Sequence, residues 1–391
     1  MIPLMKSAFL HEKQTIKALC MFLSDSPQLS MGPQCRKFEK AFAKFQGSKD
    51  AVLFNSGGSA NLCMIQTLLN LGRLKKGDPV GFSALTWSTN VMPLIQLGLD
   101  PIPVDCDTNY LNVTVNDLKK THKSHKLKAF FGTNVLGFAG NLDEIKIFCE
   151  EKDIVFIEDN CEGLGTNLNS GMTGSFGDMS SFSFFVAHHM STIEGGMVCT
   201  NDMELSQMLR IVRANGWDRN LSAIDQHNIR KKNNIISEFD AKYTFYDLGY
   251  NVRPTEITGF IGNYQLQFLK ENIKARESNF LKIYETYQEN PDLQNVKVDH
   301  LKTISNFSFP IIAENRKIRE FYMQQFSGAG IEIRPMIAGD ITRQPFFKKY
   351  IKGTFHIPNV RFLHECSFYF GNYPELTNTD IETIKSCIIK Y

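Results

Sequence analysis

No stretch of this 391-residue chain approaches the ~18 consecutive apolar residues that a membrane-spanning helix needs. An integral helical membrane protein is therefore not expected. The opening residues, MIPLMKSAFLHEKQTIKAL, lack the continuous apolar centre and small-residue cleavage site of a secretion signal. Nine cysteines occur, but none stands in a CxC or CxxC spacing, and their number is odd. A disulfide framework and a zinc or iron–sulfur centre are not expected. The chain reads as a reduced, cytoplasmic protein with buried thiols and no metal. An excess of one charge is also missing: 43 Lys and Arg stand against 41 Asp and Glu, a net +2. That balance points to neither nucleic acid nor a membrane surface as partner. Internal repeats and low-complexity tracts are absent, and tryptophan occurs twice. The most informative gap is local, because no lysine lies between Lys152 and Lys231.

What is present is a chain 42% hydrophobic, enough for a large core and, by length, for two or three domains. Its first two-thirds alternates strand-like and helix-like segments. DAVLFNSGGSANLCMIQTLLNLG is a short apolar strand, a Gly/Ser turn and a helix, and DPVGFSALTWSTNVMPLIQLG repeats the order. DPIPVDCDT, LKAFFGTNVLG and DIVFIEDNCEGLG are apolar runs ending in polar residues or glycine, and NLDEIKIFCEEK is helical in pattern. Short apolar strands with helical crossovers predict an α/β fold with a mostly parallel sheet between helices. Ligands of such sheets sit at the carboxyl ends of the strands. Here those ends are Asn55–Ser59, Thr86–Asn90, Asp159–Glu162 and the His188 region. From Ser222 to Thr244 the chain is polar and weakly periodic, which predicts a surface excursion. A long helical pattern follows. Then come β-type NFSFPIIA and GIEIRPMI with the helix RKIREFYMQQFSGAG between them. We therefore expect a large α/β domain over residues 1–262 and a smaller α+β domain over 263–391.

Several residues in these turns carry chemistry. In NSGGSAN the backbone N–H groups of Gly57 and Gly58, at a helix start, can cradle a phosphate; glycine in an α/β turn can also be purely steric. In FIEDNCEG, Glu158 and Asp159 close a strand. A carboxylate there commonly caps the next turn, but it can also face a cofactor ring nitrogen and keep it protonated. Trp87, at another strand end, suits either burial or stacking on a ring. Ser183, among phenylalanines in SFSFFVAHH, reads as a core hydroxyl or a phosphate ligand. His188 and His189 are adjacent, so on an extended chain their side chains diverge, which makes a poor chelate.

The order of these pieces along the chain is more specific than any one of them. With MGPQCRKFEKAFAKFQGSKDAVLFNSG, GLDPIPVDCD, FIEDNCEGLG, GSFGDMSSFSFF, EGGMV, GYNVRPTEITGFIG and GIEIRP, the chain resembles a known family over nearly its whole length. That family is the fold-type I, pyridoxal-phosphate-dependent DegT/DnrJ/EryC1/StrS sugar aminotransferases. The resemblance implies that Asp159 pairs with the pyridine nitrogen and Trp87 stacks on the ring. It implies that Gly57, Gly58 and Ser183 hold the phosphate. Asn251 matches a residue that reaches the phosphate from a neighbouring subunit, which implies a homodimer with shared sites. Glu162 stands where the aminotransferases usually carry glutamine beside the ring hydroxyl. An ionised glutamate cannot donate to that oxygen.

The departure from the family pattern is at the catalytic lysine, whose place His188 takes. An imidazole has no primary amine, so the resemblance implies pyridoxal or pyridoxamine phosphate held noncovalently. Histidine can still act as a base near neutral pH. A base without the lysine shuttle favours loss of a hydroxyl over amino transfer. Two His-bearing branches of the family are relevant. One depends on an iron–sulfur cluster and clustered cysteines including CxC, which this chain lacks. The other dehydrates a 4-keto-6-deoxy nucleotide sugar of the GDP-mannose type at C3, for dideoxysugars of lipopolysaccharide O-antigens. It uses L-glutamate as amino donor. TWSTN, NLDEI, EDNCE, AHHMSTIEGG, NGWDRNL, GYNVRP and FGNY are similar to that branch. Arg219, Arg253 and Arg334 are then candidates for sugar-nucleotide or glutamate contacts. A lapsed aminotransferase that only binds cofactor or nucleotide sugar is the competing expectation.

Overall fold

The computed structural model describes residues 1–391. Seven strands build the main sheet: β1 (Asp50–Phe54), β2 (Pro79–Ser83), β3 (Asp100–Val104), β4 (Ala129–Thr133), β5 (Val155–Asp159), β8 (Met179–Ser183) and β9 (Gly196–Thr200). A short hairpin of β6 (Asn167–Leu168) and β7 (Gly171–Met172) lies between β5 and β8 in sequence. The main-sheet order is β1-β9-β8-β5-β4-β2-β3. Pairs β3–β2, β2–β4, β4–β5 and β5–β8 are parallel, whereas β9 runs antiparallel to both β8 and β1.

These runs are apolar throughout because both faces are covered. Successive side chains leave opposite faces of a strand. Phe131 and Ile157 accordingly join one buried cluster with Met64 and Leu68 of the helix Gly57–Asn70 and Leu209 of the helix Met203–Arg213. Their neighbours Phe130 and Phe156 join another, with Leu118 and Phe148 of the helices Val115–His125 and Leu142–Lys152. Edge strand β1 is fixed by a buried ion pair. Arg213, fully buried, donates from Nη1 to Glu39 Oε1 (2.6 Å) and to the Leu53 carbonyl (2.6 Å). The strand end that leads into Gly57 is thus tied to two helices.

The C-terminal part carries β10 (Leu301–Thr303), which joins the β6/β7 hairpin. It also carries a second antiparallel sheet of β11 (Ser308–Ile312), β12 (Ile333–Pro335) and β13 (Ser367–Gly371) in the order β11-β13-β12. The helix Arg316–Gly328, capped by the Asn315 side chain on Ile318 N, separates β11 from β12 as the sequence predicts. Strand β13 carries no sequence forewarning, because the helix Pro358–Cys366 runs straight into it without a turn residue. The excursion at 222–244 lies on the surface but holds the helices Ala223–Lys232 and Glu238–Ala241, capped by Ser222 and Ser237. The first of these buries no residue, so it needs no apolar stripe and shows none in sequence.

Two long-range contacts close the structure over the sheet. Ile341 and Phe347 pack in the same cluster as Phe82, and Ile341 N donates to the Ala84 carbonyl. At the other end of the chain Ile2 bridges to Ile331, and Leu4 N donates to Glu332 Oε2 (2.8 Å). The first residues and the C-terminal sheet therefore meet above the carboxyl ends of the main strands.

Candidate active site

A cavity of about 340 Å³ lies at those strand ends, and Gly57, Gly58, Trp87, Asp159, Glu162, Ser183 and His188 all line it. The glycine turn follows β1. Ser56 caps the helix Gly57–Asn70 by accepting from Ser59 N. The N–H groups of Gly57 and Gly58 have no acceptor in the protein, as expected at a helix start. A Cβ on Gly57 would stand 2.7 Å from Ser183 Cβ, and one on Gly58 would stand 3.1 Å from Thr89 Cγ2. The absent side chains leave a cradle with a helix N-terminus at its floor, suited to a phosphate.

Asp159 and Glu158 leave β5 on opposite sides. Glu158 is fully buried and accepts from the N–H groups of Gly174, Phe176 and Gly177. It is a turn anchor. Asp159, only 5% exposed, accepts from Asn61 Nδ2 (3.0 Å) and from Cys161 N (2.9 Å). It has no cation partner in the chain. A buried carboxylate open to a cavity without a cation fits a protonated ring nitrogen. Trp87 stands at the cavity rim with its indole largely exposed.

Glu162 accepts from Leu136 N (2.8 Å). Burial pushes its carboxyl up from 4.5 to about 8, the Leu136 N–H opposes this, and the Asp159 charge adds to it. A shift in that direction favours the protonated carboxyl near neutral pH, the form with the O–H donor that an ionised glutamate lacks. A stability consequence follows. Because the folded pKa lies above the unfolded one, the native state binds the extra proton between pH 4.5 and about 8. This contribution is thus present at low pH and lost as pH rises through the folded value. In Glu162→Gln the difference in melting temperature from wild type grows in the variant's favour across that window. A constant difference from thermal melts would show Glu162 to be ionised throughout.

His188 follows a turn after β8. Its Nδ1 lies 3.3 Å from the Ser183 carbonyl, so Nδ1 carries the proton and Nε2 keeps its lone pair. Nε2 has no partner in the protein, and the ring meets Phe307 edge-on at 5.3 Å between centroids. Burial lowers the His188 pKa to about 4, against the pull of the Ser183 carbonyl and Asp159. The imidazole is neutral and already a base at physiological pH. His189 points away from the cavity, with Nε2 2.7 Å from the Ser305 carbonyl. No lysine lines the cavity.

The remaining sequence candidates lie elsewhere in this chain. Arg219 borders a separate groove of about 660 Å³ beside the helix Pro33–Gln46. Its guanidinium sits 3.8 Å from the Trp217 ring centroid. Asn251 is exposed and bridges to Ala214, and its Oδ1 accepts from Arg253 Nε (3.1 Å). Arg334 on β12 binds Glu332 and pairs in register with Tyr369, whose own residue lines the cavity. A further hollow, about 790 Å³, lies beside Arg73, Lys128 and Asp178, mixes both charges, and holds none of the candidates. Asn61 escaped assignment in the sequence, although its place one turn into the helix after Gly57 brings it to the strand ends. Leu4, Phe307, Ile337 and Tyr369 also line the cavity, and nothing local in the sequence marks them.

Residues 11–389 match the model of the DegT/DnrJ/EryC1/StrS aminotransferase family, and the chain belongs to that family. Within it, the GDP-4-keto-6-deoxy-D-mannose 3-dehydratase of Escherichia coli O55:H7 is 36% identical over 358 residues, 89% of this chain and 90% of that protein. The enzyme of the same name from Yersinia pseudotuberculosis is 35% identical over 357 residues, 89% of each. A crystal structure of GDP-4-keto-6-deoxymannose-3-dehydratase with a trapped PLP-glutamate geminal diamine aligns over 100% of both chains, with a TM-score of 0.89 and 34% identity.

Proposed function

We propose that this chain is a pyridoxal-phosphate-dependent 3-dehydratase of GDP-4-keto-6-deoxymannose. It takes its amino group from L-glutamate, which leaves as 2-oxoglutarate and so supplies the two electrons, and it releases a 3,6-dideoxy-4-keto sugar and ammonia. The observation that carries the reading is His188, a neutral base in a lysine-free cavity that also holds the uncompensated Asp159 carboxylate. The donor set fits the cofactor. Asp159 would hold its ring nitrogen, Trp87 its ring face and protonated Glu162 its ring hydroxyl. Gly57, Gly58 and Ser183 would hold its phosphate. When bound, the cofactor supplies an electron sink next to the carbon that bears the amino group. His188 Nε2 would take a proton from that carbon while the hydroxyl at the sugar's C3 departs, with Nδ1–H held by the Ser183 carbonyl. Without a lysine amine, nothing in the cavity bonds the cofactor covalently.

A second copy of the chain completes the site in this reading. Asn251, outside its own cavity, would reach the partner's phosphate. Arg219 and Arg253 would contact nucleotide sugar or glutamate across the interface, and Arg334 would do so from beside the cavity-lining Tyr369 of its own chain. Phe239 and Tyr243 on the 222–244 excursion, and Phe245 and Leu248 just after it, are all more than half exposed, an apolar surface that a partner subunit would cover. No helix is long and apolar enough to cross a membrane. The cytoplasm suits a chain whose nine cysteines are all free. Residues 1–262 and 263–391 are the proposed domains.

Against a lapsed aminotransferase stands the cofactor frame of Gly57, Gly58, Asp159 and Ser183, kept together around one cavity with His188. An iron–sulfur-dependent dehydrase needs several thiolates, and Cys161 alone borders the cavity. The test mixes protein, pyridoxal phosphate, L-glutamate and GDP-4-keto-6-deoxymannose without any reductase. A 3-deoxy sugar and ammonia are expected. Cofactor binding with neither product would leave a binding protein, and turnover only with a reductase would indicate the iron–sulfur branch.

A further inference from the structure

His189 is the histidine that the proposed reaction leaves unused, yet it is more deeply buried than His188, at 3% exposed. Its Nε2 donates to the Ser305 carbonyl (2.7 Å), and its own carbonyl accepts from Asn272 Nδ2 (2.6 Å). Arg276 braces that contact, donating from Nε to Asn272 Oδ1 (2.7 Å) and from Nη1 to the Phe307 carbonyl (3.2 Å). Asn272 and Arg276 belong to the helix Leu269–Tyr287. The turn after β8 is thereby fastened from behind to a helix and to the segment 305–307.

That segment is a firm anchor. Ser305 N donates to Thr166 Oγ1 (3.0 Å), Ser305 Oγ donates to the Leu164 carbonyl (2.8 Å), and Phe307 N donates to the Leu136 carbonyl (2.8 Å). Phe307 is also the ring that faces His188 at 5.3 Å. Two successive histidines therefore engage one short segment, His189 at residue 305 and His188 at residue 307. By contrast, the direct hold on the His188 ring is one hydrogen bond of 3.3 Å, at the long end of the useful range.

We propose that His189 is a positioning residue. Its hydrogen bond to Ser305 registers the turn against Phe307 and fixes the His188 imidazole with Nδ1–H on the Ser183 carbonyl and Nε2 free for the substrate. A buried imidazole suits the task, since a rigid ring offers one donor at fixed reach. Burial, with Arg276 adding to it, holds its pKa well below the usual histidine value, so it brings no charge to the compartment.

The kinetic half of the test rests on the dehydratase reading; the spectroscopic half does not. In the wild-type holoenzyme, histidine ¹⁵N NMR should show His188 as the Nδ1–H tautomer and His189 as the Nε2–H tautomer. His189→Phe keeps the ring shape and removes the donor. Its His188 signals should move toward the averaged values of a mobile ring. Its kcat on GDP-4-keto-6-deoxymannose should fall about 10- to 100-fold, the size expected for a misplaced catalytic group, with KM and pyridoxal phosphate affinity unchanged. His189→Gln, whose amide can reach the Ser305 carbonyl, should restore both. Unchanged His188 signals in His189→Phe, an equal loss in His189→Gln, or the Nδ1–H tautomer at His189 in the wild type would each overturn the proposal. If His189→Phe does not fold, the wild-type and His189→Gln spectra decide. If the wild-type enzyme does not dehydrate the sugar, the functional reading falls and the spectra still judge His189.

Discussion

His188→Lys loses dehydration by about 10³-fold, within the range that a positioned general base contributes, and gains a covalently attached cofactor. The cavity holds no other amine, so the new lysine is the one group able to bond a cofactor aldehyde. A visible absorbance would appear in the variant before borohydride treatment and vanish with it, and mass spectrometry afterwards would register the cofactor on residue 188. The wild-type protein should release its cofactor on dialysis. His188→Asn separates the two effects: it loses the base without supplying an amine, so the rate falls while the cofactor stays dialysable. Dehydration at the native rate in either variant would show that His188 is not the base. The neutral state of His188, lowered to about 4 by burial, means the wild type needs no deprotonation step near neutral pH.

Asp159→Asn loses about 10²- to 10³-fold in kcat, the scale on which one preorganised electrostatic partner acts, and binds pyridoxal phosphate more weakly. Both oxygens of Asp159 accept hydrogen bonds, from Asn61 Nδ2 and Cys161 N. An amide in its place must turn an N–H toward one of those donors. It also removes the charge that would keep a ring nitrogen protonated. The same substitution lowers the Glu162 pKa, since the Asp159 charge raises it, and lowers that of His188, since the Asp159 charge raises that too. Equilibrium dialysis with pyridoxal phosphate and steady-state kinetics on the nucleotide sugar would measure both losses. Native cofactor affinity together with native kcat would remove Asp159 from the role assigned to it.

Much of the sheet was legible because its strands are short apolar runs punctuated by Gly, Asn and Asp, and strand-end polar residues must gather at one edge of a parallel sheet. That logic reaches Gly57, Trp87, Asp159, Ser183 and His188 from their local surroundings. It does not reach β13, whose start has no turn residue. Nor does it reach the helices of 222–244, which bury almost nothing. The arginines were harder still. Arg219, Arg253 and Arg334 do not line the cavity of their own chain; Arg334 pairs with the cavity-lining Tyr369, whereas Arg219 and Arg253 would need the proposed second subunit to reach it.

The sequence by itself determined the family, the succession of strands and helices, and the exchange of an amine for an imidazole at His188, since each of these is written in neighbouring residues. Only the tertiary structure decided which of two adjacent side chains faces the chemistry. Glu158 turns to the backbone N–H groups of Gly174, Phe176 and Gly177 while Asp159 turns to the cavity, and His189 turns to Ser305 while His188 turns to Phe307. It also set the directions in which burial moves the pKa values of Glu162, upward, and His188, downward, and it brought Leu4, Phe307 and Tyr369 to the same cavity. The physical reason is that burial and the field at a titratable group are set by atoms brought near from distant parts of the chain. No local stretch of sequence contains them.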